Sequence, residues 1–328
     1  MEELIDLRWL GLSEEELFSF APEAAEEAEH IEAPHYSYWN SVFRVFFRKK
    51  INIILLILLA AVVMFSFLYP AIIGYDSAVD PYTNLLDPGA KHLGPKQAME
   101  KFGPSLKWVL GTGASGQSTF DAVWYGAGIS LSLALICALI NMTIGVAVGT
   151  VWGFSRRVDR FMTEVYNVVA NVPYILLISV IVLILSASFW SMVFALTVTG
   201  WLGIAYFIRT QVIIIRDREY NLASRCLGTP LHRMALKNIL PFMTSVIVTL
   251  AAAEIPSYIS YEVFLSFIGM GLQDQSLGKL IQTSQNAMLT PGWELEFWSP
   301  VVVASIIAVV LYVVGQNLGD ASDPRTHL

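Results

Sequence analysis

Charge is scarce in this sequence. Only 14% of its 328 residues are Asp, Glu, Lys or Arg, while 55% are hydrophobic. Soluble domains carry about 25% charged residues, so an ordinary water-facing globule is excluded and a polytopic membrane protein is indicated. Cysteine is scarcer still. Cys137 lies in an apolar segment and Cys226 in a polar one, and two such residues make no disulfide framework. The phosphate-cradling pattern G-x-x-x-x-G-K-[ST] is absent, because the one Gly-Lys pair, Gly278-Lys279, runs into Leu280. A P-loop is therefore not expected in this chain. No basic n-region precedes an apolar run at the acidic start, so no signal peptide is expected. The histidines (His30, His35, His92, His232, His327) all fall outside the apolar segments. That leaves no candidate for a buried metal site or a proton relay. With a formal net charge of −7, no nucleic-acid partner is expected.

What is present is apolar and comes in long runs. Residues 1–40 hold eleven acids and one base, Arg8, so the rest of the chain is net positive. Residues 1–35 read as an acidic solvated tail, mobile or weakly helical. His35 to Lys50, HYSYWNSVFRVFFRKK, mixes aromatics with a basic end and fits an amphipathic helix in the membrane interface. Ile51–Ile73 is uncharged over 23 residues, enough for a first crossing, since about 20 suffice. Together 36–73 form the interfacial and first transmembrane helices. Residues 74–121 are polar and rich in Pro and Gly, and read as an extracytoplasmic loop or small lobe.

A five-helix core is expected over 122–319. Ala122–Ser155 makes the second crossing, ended by Arg156, Arg157 and Arg160. Val165–Ile208 has 44 uncharged residues, roughly 66 Å as one helix, so it must fold back as a third and fourth crossing. Ser186-Ala187-Ser188 is the expected turn. Asn238–Ile268 and Phe297–Gly319 supply the fifth and sixth, and 320–328 is a polar C-terminus. With the N-terminus inside, fifteen Lys and Arg fall on cytoplasmic segments and five outside, and all twelve arginines are among the fifteen. The bias of basic residues predicts N-in, C-in.

Arg216 to Pro241, RDREYNLASRCLGTPLHRMALKNILP, is the arginine-rich polar interval of the second half. Glu219 to Leu227 reads as a short helix with Leu222, Ala223, Cys226 and Leu227 on one face. Gly228 follows as a left-handed helix stop. Thr229 and Pro230 read as the N-cap and first residue of a second helix. By themselves these residues fit either a surface knob or an ordinary basic loop. The stretch resembles the EAA loop of ABC importer permeases: Glu-Ala-Ala, three residues, Gly, a spacer and Ile-Leu-Pro. Leu222-Ala223-Ser224, Gly228 and Ile239-Leu240-Pro241 take those places, with Leu222 where the family has Glu and Ser224 where it has a second Ala.

Three further stretches extend the resemblance in order. Leu110-Gly111-Thr112, Gly116, Tyr125-Gly126-Ala127 and Ile129-Ser130 match the segment entering the second crossing of peptide-type permeases. In it Gly113 replaces an aspartate, Gln117-Ser118 an Arg-Asp pair and Gly128 an arginine. Glu262, Leu265-Ser266-Phe267, Gly269 and Gly271 match the end of the fifth crossing. Asp320-Ala321-Ser322-Asp323-Pro324-Arg325 matches the terminal Asp-Ala-Leu-Asp-Pro-Arg. The chain thus resembles the C-type permease of oligopeptide/dipeptide ABC importers, in its Gram-positive oligopeptide form.

That resemblance implies an all-α, six-helix, type I importer fold in a bacterial cell membrane. It implies a second homologous permease, two cytoplasmic ATPases that hold ATP and Mg, an extracytoplasmic peptide-binding lipoprotein and a peptide substrate. No cofactor and no catalytic residue would belong to this chain. Coupling to the ATPases would fall on Glu219, Leu222, Ala223, Ser224, Leu227, Gly228, Thr229 and Pro230. With Leu at 222, the knob would seat by apolar contact. A dipeptide or other small solute such as nickel is the alternative within the family. A proton-coupled secondary transporter, or a membrane receptor, is the alternative outside it.

Two carboxylates lie inside the fifth apolar run, Glu254 and Glu262. Each costs about 2.5–3.5 kcal/mol at the centre of a membrane helix, so each needs an aqueous path or a partner group. Eight residues apart, they lie about 80° from one face and need not share a role. Glu254, Tyr258 and Glu262 are the candidate substrate-path residues. Of the two acids, Glu254 is expected on the path and Glu262 in a structural role, either an interhelical hydrogen bond to the partner permease or a site near the outer end of the helix.

Overall fold

The computed structural model describes residues 38–75 and 88–323. The acidic stretch 1–35, the loop residues 76–87 and the terminal Pro324 to Leu328 lie outside the described residues. Everything described except Tyr38 belongs to one unit, Trp39–Leu328. It is helical, and among the described residues the only extended pairing is one antiparallel bridge, Thr112 with Ser118. Helix α1 (Tyr38–Arg48) leads into α2 (Lys50–Ile73), and α3 (Pro95–Phe102) precedes the long α4 (Thr119–Phe154). Then come α5 (Arg156–Ala170), α6 (Tyr174–Leu185), α7 (Phe189–Thr197) and α8 (Gly200–Arg216). The second half holds α9 (Glu219–Cys226), α10 (Leu231–Met234), α11 (Thr244–Phe267), α12 (Leu277–Thr283) and α13 (Glu294–Ala321).

Among the described residues five stretches are long and apolar enough to cross a membrane: Lys50–Ile73, Thr119–Phe154, Phe189–Arg216, His232–Phe267 and Glu294–Ala321. The expected third crossing is not one straight helix. Its place is taken by α5 and α6, which meet at 77°. Helix α6 has 12 residues, about 18 Å, short of a hydrocarbon layer of roughly 30 Å. The break falls at Asn171-Val172-Pro173, where proline cannot continue a helix begun upstream. An uncharged run shows that residues avoid water, but it does not show whether they share an axis.

The chain folds back at Ser186 to Ser188. Ser186 takes φ 71°, and Ser188 caps α7 by accepting from the Ser191 N–H. Before α11 the helix is irregular: a π-helical turn over Ala235–Ile239, then a 3₁₀ turn over Leu240–Met243. Pro241 accounts for this, since its missing N–H removes a rung of the helical ladder.

Two seams of small residues set how closely the long helices approach. On α4, Gly145, Gly149 and Gly153 recur every four residues and so share one ridge. A methyl group at Gly145 would stand 2.5 Å from Ile204 Cγ2, one at Gly149 2.5 Å from the Ala205 carbonyl oxygen, and one at Gly153 2.7 Å from Val212 Cβ. Helix α8 therefore lies directly on the α4 backbone, burying Ile204, Ala205, Ile208 and Val212. On α13, Gly315 rests against Ala252 and Gly319 against Thr249 of α11, and the Ser245 hydroxyl donates to the Gly319 carbonyl at 2.8 Å.

Residues 88–118 form a small lobe at the far end of the helices from the arginine-rich interval. His92 stacks on Trp293 with ring centroids 3.8 Å apart, and its Nδ1 lies 2.8 Å from Glu296 Oε2. The other Glu296 oxygen accepts from the Ala114 N–H at 2.9 Å. The Tyr75 hydroxyl donates to Gln275 Oε1 at 2.6 Å. Burial pushes this hydroxyl up to about 12, so it keeps its proton throughout the physiological range.

The seam makes a specific demand. Gly149→Leu must push α8 away, an overpacking cost of roughly 1–3 kcal/mol. Gly203→Ala, where an added methyl meets nothing within 4 Å, should be neutral or gain up to about 1 kcal/mol of helix propensity. Thermal unfolding in mild detergent should show a lower midpoint for the first and none for the second.

Candidate functional site

The arginine-rich interval folds as a knob. Helix α9 closes in a Schellman arrangement: the Thr229 N–H donates to the Ser224 carbonyl at 3.1 Å and the Gly228 N–H to the Arg225 carbonyl at 3.0 Å. Gly228 sits at φ +79° with open space around it. Its role is conformational, because only glycine takes that turn without strain. The second helix begins one residue later than the sequence predicts. Helix α10 starts at Leu231, and the Pro230 carbonyl accepts its first bond, from the Met234 N–H at 3.1 Å. Pro230 thus flanks the helix, and Thr229 is the second residue of the Schellman turn.

The knob turns its apolar residues outward. Leu222 is 55% exposed and Leu227 87%, and Glu219, Ala223 and Cys226 are exposed beside them. What holds it is polar. Asn221 is fully buried and donates to the Ile215 carbonyl at 2.8 Å, closing α9 onto the end of α8. Asn238 Nδ2 reaches Asn221 Oδ1 at 3.3 Å and Ser224 Oγ at 3.4 Å. The hydroxyl of Ser224 therefore has a job: it holds α9 to the chain entering α11.

The second feature is a cavity of about 390 Å³ among α5, α6, α8 and α11. Two helix breaks open onto it, Val172-Pro173 between α5 and α6 and Thr199-Gly200 at the start of α8. Broken backbone within a membrane persists only where protein or a cavity satisfies it. Here the freed Leu196 carbonyl accepts from Asn141 Nδ2 at 3.1 Å and from the Tyr174 hydroxyl at 2.7 Å. Asn141 also donates to the Tyr258 hydroxyl at 2.7 Å. Glu254 and Tyr258 both line this cavity, and the Tyr258 hydroxyl interacts with the Glu254 carboxyl.

Glu262 does not line it. It is fully buried, where the Ser130 hydroxyl donates to Oε2 at 2.9 Å, and those of Ser266 and Ser276 donate to Oε1 at 3.0 and 2.6 Å. The Leu277 N–H donates in turn to Ser130 Oγ at 3.1 Å. Glu262 is thus removed from the path residues. An 80° turn around α11 carries it to the side that packs on α4 and α12, where three hydroxyls supply the partners a buried carboxylate requires. Ser130 belongs to the second matched stretch, Glu262 and Ser266 to the third, so two motifs distant in sequence meet at one buried knot.

At the arginine-rich end, Arg209 Nε and Nη2 lie 2.7 and 3.0 Å from the two Asp159 oxygens, and Trp152 Nε1 donates to Asp159 Oδ1 at 3.0 Å. This bidentate pair ties α5 to the α4–α8 seam. Sequence reasoning missed Asn141, Asn221, Asn238 and Asp159. Amides inside or beside apolar runs were the available signal, since each must find a partner when buried. Asn238→Ala should free α9 at a cost of about 1 kcal/mol. Hydrogen exchange of amides 219–228 should then quicken about fivefold, while the global melting midpoint stays put.

Comparison with known proteins identifies the family. The family described as "Binding-protein-dependent transport system inner membrane component" matches residues 141–328. The "N-terminal TM domain of oligopeptide transport permease C" matches residues 37–95. An oligopeptide transport system permease protein, AmiD, of Streptococcus pneumoniae is 43% identical over 96% of this chain and 98% of its own length. The dipeptide permease DppC of Bacillus subtilis is 31% identical over 95% and 93%. The oligopeptide permease OppC of the same organism is 30% identical over 93% and 96%. Among solved structures, an inward-facing MetNI methionine ABC transporter aligns with 61% of this chain and 94% of its own, at a TM-score of 0.47 and 20% identity. This multi-pass bacterial membrane protein belongs to the family of binding-protein-dependent transport system inner membrane components, the permease subunits of ABC importers.

Proposed function

We propose that this chain is one of two homologous pore-forming subunits of an ATP-driven oligopeptide importer. Two ATPase subunits bind the ATP and Mg, and a peptide-binding lipoprotein delivers substrate on the other side. The family membership and the oligopeptide permease relatives support peptide as the cargo. A dipeptide cargo is the second reading, because a dipeptide permease is 31% identical.

The observation that carries the mechanism is the place of the knob. It joins the end of α8 to the start of α11, and both helices wall the cavity: α8 with Thr199 and Gly200, α11 with Glu254 and Tyr258. A partner that grips Leu222, Ala223 and Leu227 and moves would pull both walls. The exposed apolar face is what such a partner would cover. On this reading the arginine-rich end is cytoplasmic, both termini are inside, and the small lobe meets the binding protein.

Gly228→Val tests the coupling. Valine at φ +79° costs on the order of 1–3 kcal/mol locally, which loosens the turn while leaving the lobe untouched. Peptide uptake and its stimulation of the ATPases should both fall, and docking of binding protein should survive. Wild-type uptake by an assembled Gly228→Val complex would remove the assignment. Leu222→Asp should weaken ATPase association, and raised salt should affect wild-type association little, since an apolar seat is not screened. The purified chain by itself should hydrolyse no ATP, and turnover should appear only when the ATPase subunits are added.

A further inference from the structure

The cavity wall has a composition that the path role alone does not require. Among its described lining residues Glu254 is the one charged side chain, and no Lys, Arg or His stands beside it. Four tyrosines, Tyr166, Tyr174, Tyr258 and Tyr261, supply most of the aromatic surface. Their rings are held in place. Tyr174 meets Tyr261 edge-on at 5.2 Å, and Tyr166 stacks on Tyr206 at 4.2 Å. The Tyr174 hydroxyl is committed to the Leu196 carbonyl and that of Tyr258 accepts from Asn141. Thr199 Oγ1, on the same wall, has no hydrogen-bond partner. A lone carboxylate and a group of fixed aromatic rings have one shared preference, a desolvated ammonium. The rings attract it through their quadrupoles, and the carboxylate gains the counter-charge that a membrane-embedded acid lacks.

We infer that this cavity is a transit site for a primary ammonium group of the passing peptide, either its amino terminus or a lysine side chain. The inference rests on the peptide-import reading above and adds to it a charge preference inside the permease. An anionic or uncharged group would find no counterpart here.

The test uses the whole importer in liposomes with its binding protein saturated. Four versions of one pentapeptide are compared: free or acetylated at the amino terminus, and carrying lysine or norleucine at one internal position. In Glu254→Gln, uptake of the ammonium-bearing peptides should fall at least about tenfold, the scale of one lost charge-assisted bond. Acetylated norleucine peptide should change less than about twofold on the same scale. Loss confined to free-terminus peptides identifies the amino terminus as the ligand, and loss confined to lysine peptides identifies the side chain. Tyr261→Leu, which keeps the carboxylate and removes one ring, should shift the same peptides in the same direction, and it decides the matter if Glu254→Gln fails to assemble. Equal loss of all four peptides, or loss of none, overturns the ammonium site while leaving peptide import intact. If the wild-type complex imports none of the four, the peptide-import reading falls and the site falls with it.

Discussion

The structure depends on how closely α4 and α8 approach. In lipid no water-driven force presses helices together, so contact comes from backbones near enough to pack along their length. Gly145, Gly149 and Gly153 leave α4 bare on one ridge, and Ile204, Ala205, Ile208 and Val212 fill it. The second seam, Gly315 and Gly319 against Ala252 and Thr249, does the same for α11 and α13. Each seam makes two helices into one stiff body. The cavity opens between α8 of one pair and α11 of the other; the knob links them at one end, and the Ser130–Glu262 bond ties α4 to α11 toward the other. On the proposed coupling, force applied at α9 would reach the cavity through packed elements and not through a loose loop.

Polar groups locate the joints. Where the chain bends, a side chain meets the freed backbone: Asn141 and Tyr174 at Leu196, by the break between α7 and α8, and Asn221 of the knob at Ile215. Where a helix must stay put, a carboxyl group is tied on several sides, as at buried Glu262 and half-buried Asp159. Glu254 is the exception. It has one neighbouring hydroxyl and an open cavity, which is the arrangement of a group meant for something that arrives from outside.

Much of this was legible in the sequence. The five long helices, the turn at Ser186, the glycine stop at Gly228, and the separate characters of Glu254 and Glu262 follow from charge, spacing and helix geometry, whereas the knob was separated from a plain basic loop only by the EAA resemblance. Those signals come from residues whose cost in a membrane is large. The bend between α5 and α6 was not legible, because Val165 to Leu185 is uncharged throughout and Pro173 does not announce an angle. The cavity was half legible. Glu254 stood out as an acid, but Tyr174, Tyr261 and Thr199 look like any residue of an apolar run, and only the fold brings them together. The role of Ser224 was hidden for the opposite reason. It stood out as a departure from a pattern, while its partner Asn238, fourteen residues on, carried only the general signal of an amide beside an apolar run.

The central claim is that the knob carries a partner's movement to the α8 and α11 walls of the cavity. Spin labels at exposed positions can read this directly: Leu139 on α4, Ile214 on α8, Phe264 on α11 and Val309 on α13, with Cys226 replaced by serine. Distances would be measured in the assembled importer with and without ATP trapped in the ATPases. The account predicts that Ile214–Phe264, which spans the two bodies, changes by about 5 Å, on the scale of known helix displacements, while Leu139–Ile214 and Phe264–Val309 change by less than about 2 Å. Changes of equal size within and between the pairs would contradict it.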